Sequence, residues 1–61
     1  GREDLELKAV ADFYWREVIE LSRLKEISEP IRDVLNYWLR RSRELRVEYA
    51  ERKLIEVIKR L

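Results

Sequence analysis

Ser28-Glu29-Pro30, set between Leu24-Lys25-Glu26-Ile27 and Ile31-Arg32-Asp33-Val34-Leu35, is the strongest helix-stopping signal inside the chain. The Ser28 hydroxyl suits an N-cap, because it can accept a free amide of the turn that follows. Pro30 suits a first helical turn, where no intrahelical amide is needed. Its ring also disfavours the α conformation at Glu29, so a helix running straight through this point is not expected. A turn over about residues 27–29 therefore separates two helical stretches.

Upstream, Leu7, Val10, Ala11, Tyr14, Val18 and Leu21 recur at three- and four-residue steps and share one helical face. Helix 1 is predicted over about residues 2–26, with Phe13, Trp15 and Leu24 widening the stripe. The opposite face holds Asp12, Arg16, Glu20 and Arg23, spaced for supporting pairs such as Asp12 with Arg16. Leu5 and Ile19 fall on that polar side.

Downstream of Pro30 there is no Gly or Pro, so the simplest reading is one helix over about residues 30–61, about 45 Å long. Its apolar stripe changes register. Ile31, Leu35, Trp38, Ser42, Leu45 and Tyr49 form one series; Val47, Ala50, Leu54, Val57 and Leu61 form another, roughly 120° away. An antiparallel two-helix hairpin turning at Ser28 brings Leu21 near Leu35, Val18 near Trp38, Tyr14 near Ser42 and Leu7 near Tyr49. Residues after about Lys53 then have no partner in the chain. Each large apolar side chain left there forgoes about 1.5–3 kcal/mol of burial. Val47, Ala50, Leu54, Ile55, Val57, Ile58 and Leu61 are accordingly expected to meet a second copy.

The alternative is a compact three-helix bundle with a break near Ser42 and a third helix from about Arg43 that folds back. Ser42 would cap that helix and Glu44 would sit in its first turn. Arg41-Ser42-Arg43 contains no residue that readily takes positive φ, which favours the continuous helix.

Composition agrees with an all-α single domain. Charged residues are 44% and apolar residues 46% of the 61, with one Gly and one Pro. A chain this short buries only about 60% of its unfolded surface and usually needs a staple. Without Cys or His it has neither a disulfide nor the usual zinc ligands, leaving helix packing or oligomerisation. Net charge is +1, so no global field directs the chain to nucleic acid or to an acidic membrane. No apolar run is long enough to span a bilayer and no signal-peptide pattern is present, which reads as soluble; Gly1 reads as a cleavage scar.

No cluster stands out for catalysis. The hydroxyls Ser22, Ser28 and Ser42 have no His to activate them, and Glu3, Asp4 and Glu6 suit a helix N-terminus better than a cation. No catalytic residue, cofactor or metal is expected. Arg32, Arg40, Arg43 and Arg46, with Asn36, form a basic strip able to track phosphates, diluted by Asp33, Glu44 and Glu48. Trp15 and Tyr37 are the aromatics expected outside the core, where such rings are enriched at contacts with other proteins.

Arg43-Glu44-Leu45-Arg46-Val47-Glu48, running on to Lys53, resembles part of the long first helix of the all-helical chorismate mutases. In that family an Arg and a Lys eleven residues apart bind substrate carboxylates. Here Ser42 stands where that Arg would fall, and the resemblance covers only about a dozen residues, so no enzyme activity is carried over. With no His, Cys or Met and one short turn, the chain also looks like a de novo designed or engineered helical bundle; ten Arg to four Lys and the exposed Leu5 and Ile19 are more native-like. The expected function is self-association, as a homodimeric bundle of hairpins. A monomeric binder of another protein is the alternative, with an RNA-binding hairpin dimer behind it.

Overall fold

A computed structural model describes residues 1–24 and 29–61 in full and the backbone of Ser28. Among these residues the chain forms three helices: α1 (Arg2–Arg23), α2 (Ser28–Glu44) and α3 (Glu48–Arg60). The expected end of helix 1 at Glu26, the start of the turn at Ile27 and the capping role of the Ser28 hydroxyl lie outside the described residues. Ser28 and Glu29, expected in the turn, are already helical. Pro30, the third residue of α2, is still within the first turn and forfeits no intrahelical hydrogen bond.

The continuous second helix is corrected to two. The Val47 amide donates to the Ser42 carbonyl at 2.9 Å and the Arg46 amide donates to the Arg43 carbonyl at 3.2 Å. This pair of bonds is a Schellman closure: it satisfies carbonyls that the end of a helix leaves open and turns the chain sharply. Arg46 supplies the left-handed residue, with φ 58°. Arg41-Ser42-Arg43 stays helical within α2; the chain turns at Leu45-Arg46-Val47, where an arginine adopts the conformation that glycine usually fills. Val47 then starts α3, its carbonyl accepting from the Glu51 amide at 3.1 Å. Ser42 caps nothing; it is fully buried inside α2, its Oγ donating to the Trp38 carbonyl at 2.8 Å.

This break turns the two-helix hairpin into the three-helix bundle. Folded back, α3 packs on both α1 and α2, while α1 and α2 touch each other least. The core is built from Leu7, Ala11 and Val18 of α1, Leu35 and Leu39 of α2, Val47 of the turn, and Ala50, Leu54 and Val57 of α3. Leu54 and Val57, two of the residues expected to lack an intramolecular neighbour, have no residual exposure, while Ile55, Ile58 and Leu61 are partly covered. The register change is explained by it: the second series is the inner face of a separate helix. Among the described residues no buried side-chain polar atom lacks a partner.

Chain direction follows from two contacts. Tyr49 reaches Asp12 and Lys53 reaches Trp15, so advancing along α3 advances along α1 in the same sense. The bundle is up-down-up, with α1 and α3 parallel and α2 antiparallel to both. The acidic first turn of α3 (Glu48, Glu51) and its basic last turn (Lys59, Arg60) match the helix dipole.

Candidate functional site

The outer edge of α3 carries Tyr49, Lys53, Glu56 and Arg60 at steps of four, three and four, a single stripe facing α1. With Trp15 and Arg52, the first three line an open groove of about 400 Å³ between α1 and α3. Trp15, half-buried, forms its aromatic wall. The Lys53 ammonium stands 5.0 Å from the centre of the Trp15 ring and 5.6 Å from that of Tyr49, and the Arg60 guanidinium 4.6 Å from the Trp15 ring. Cations held over ring faces at such distances are drawn by the quadrupole of the ring, by about 0.5–1 kcal/mol each at exposed sites.

The acids nearby are engaged. Glu56 pairs with Lys59 at 3.7 Å and Glu48 with Arg52 at 3.5 Å. Asp12 accepts the Tyr49 hydroxyl at 2.5 Å, replacing the expected pairing with Arg16. That hydrogen bond, with smaller contributions from burial and from the charge of Asp12, raises the Tyr49 phenol above its ordinary pKa. Lys53 and Arg60 have no carboxylate partner among the described residues.

A second group of apolar side chains lies on α1 and α2. Phe13 packs edge-on against Tyr14 with ring centres 5.4 Å apart, and Tyr37 against Trp38 at 5.1 Å. Phe13 and Tyr37 are more than half exposed; Tyr14 and Trp38 are tucked against the core. Val34 and Leu24 are exposed as well, and so are Leu5 and Ile19 on the polar side of α1. On α3 the large apolar residue most open to solvent is Tyr49.

The expected self-association residues are split by the fold. Val47, Ala50, Leu54 and Val57 are consumed by the core of a single chain, while Ile55, Ile58 and Leu61 are only partly covered. Trp15 and Tyr37 lie on different surfaces, one in the groove and one on α2. The basic strip is broken up, because Arg43 donates to Glu51 at 3.2 Å and Arg46 occupies the turn, leaving Arg32 and Arg40 on the outside of α2. Arg41, outside the expected strip, bridges Glu3 at 2.9 Å and Glu44 at 3.1 Å, and the charge of Glu3 chiefly raises its pKa. No cluster of acids suited to a metal is present among the described residues, and no described helix is long and apolar enough to cross a membrane.

Sequence reasoning missed the Lys53–Arg60 stripe. Its four-three-four spacing was visible, but only the break at Arg46 turns that edge of α3 toward Trp15. Comparison with known proteins found no matching family model, no matching curated protein and no matching solved structure.

Proposed function

We propose that this chain is a helical interaction domain that folds as a monomer and recognises another protein through side chains its own core leaves outside. One contrast carries the reading: Leu54 and Val57 are wholly covered by the chain itself, while Phe13, Val34 and Tyr37 remain about half exposed. A closed core removes the main physical reason for a second copy. Val34 and Tyr37, one turn apart on α2, leave large apolar side chains side by side in water, as contact surfaces do. The reading assigns no catalytic role to any residue. The absence of His, Cys and Met supports an engineered helical scaffold as the origin of such a domain.

Sedimentation equilibrium over a hundredfold concentration range, with helicity followed on the same samples, tests the reading. The expected result is a helical 7.6 kDa monomer throughout. A dimer at all concentrations would overturn it in favour of a self-associating bundle. The partly covered Ile55, Ile58 and Leu61 favour that second reading, and in that case Ile58→Glu returns the monomer. Tyr37→Ala is the clean variant for partner binding, because that ring is more than half exposed and helicity should be unchanged.

A further inference from the structure

We propose that the α1/α3 groove takes an acidic amphipathic helix of a partner protein, with two carboxylates seven residues apart pairing with Lys53 and Arg60 and an apolar side chain between them against Trp15 and Tyr49. The inference rests on reading the domain as an interaction module and adds the chemistry of the partner. The backbone positions of Lys53 and Arg60 lie seven residues, about 10 Å, apart along one edge of α3, and their charged groups converge on the same Trp15 ring, 5.0 Å and 4.6 Å from its centre. Acidic residues at i and i+7 of a docked helix repeat that separation, and i+3 or i+4 falls between them over the aromatic wall.

Charge complementarity selects this occupant. The ring faces attract both cations but accept no ordinary hydrogen bond from them, so the ammonium and guanidinium donors remain available for carboxylates. Holding the cations over Trp15 also fixes them in advance, which lowers the ordering cost of binding. Glu56 in the groove lining and Asp12, bound to the Tyr49 hydroxyl, disfavour a continuous polyanion such as RNA, while discrete carboxylates seven residues apart straddle Glu56. The groove is open rather than enclosed, which fits a helix laid along it.

Fluorescence anisotropy tests this with a labelled alanine-based helical peptide carrying Glu at i and i+7 and Leu at i+3 and i+4, beside the same peptide with Gln for Glu. The Glu peptide should bind the native domain at least tenfold more tightly than the Gln peptide, with affinity falling as salt rises. Lys53→Gln with Arg60→Gln should abolish that preference, while Tyr37→Ala leaves it intact. Both altered side chains lie outside the core, and circular dichroism confirms that the double variant is folded. Equal binding of the two peptides, no binding at millimolar protein, or tighter binding of mixed RNA than of the Glu peptide would each overturn the proposal. None of these bears on the monomer test, so the groove can fail while the interaction-domain reading stands, and a dimer result removes that reading by itself.

Discussion

Arg46 holds the fold's one positive φ among the described non-glycine residues, and everything after it depends on that conformation. For an L-residue the left-handed region costs roughly 1–2 kcal/mol, which glycine avoids at the expense of a more flexible unfolded chain. Arg46→Gly should therefore raise stability by about 0.5–1 kcal/mol, seen as a melting temperature higher by a few degrees. Arg46→Val should lower it, because a β-branched residue fits positive φ worst. A lower melting temperature for the glycine variant would show that the turn is not left-handed. Tyr49 makes the second prediction at this scale. Its folded pKa is raised, so its contribution to stability is fully present below the unfolded value of about 10 and is lost as pH rises through the folded value. The stability difference between the native protein and Tyr49→Phe, from urea midpoints, should hold at neutral pH and shrink above pH 10. Asp12→Asn should reduce the raised titration, read by tyrosinate absorbance.

Among the elements, α3 is the one whose role changed most between pattern and fold. Its inner face was legible as an apolar series, and its outer stripe as a polar one. Their assignment to a hairpin arm or to a separate helix turned on a stretch with no Gly, Pro or Asn. Local propensity in Arg43-Glu44-Leu45-Arg46 favours a helix throughout, and the burial of Leu54 and Val57 against α1 and α2 outweighs the backbone cost at one arginine. The capping role offered to Ser42 by the three-helix alternative is not taken up; its hydroxyl donates to the carbonyl of the previous turn, which lets a small polar residue stay buried. Because α3 is the central element, Leu54→Ala should cost about 2–5 kcal/mol. Domains of this size hold only a few kcal/mol in total, so urea titration should find this variant largely unfolded. Ile19→Glu, on the exposed side of α1, should change the same midpoint by no more than about 0.5 kcal/mol.

At the scale of the whole molecule, a monomer in sedimentation equilibrium is the prediction on which the proposed function depends. It runs against the expectation of a dimer, because Leu54 and Val57, at the centre of the expected interface, are covered from within. The sequence by itself determined the all-α class, the amphipathic faces, the place of Pro30 in a first helical turn and the outward positions of Leu5, Ile19 and Tyr37, since these follow from periodicity and from the chemistry of proline. Only the tertiary structure decided the number of helices, the parallel course of α1 and α3, and the meeting of Trp15 with Lys53 and Arg60. These depend on a balance between one strained residue and the burial of a distant face. That balance is struck between residues far apart in the chain, beyond the reach of any local pattern.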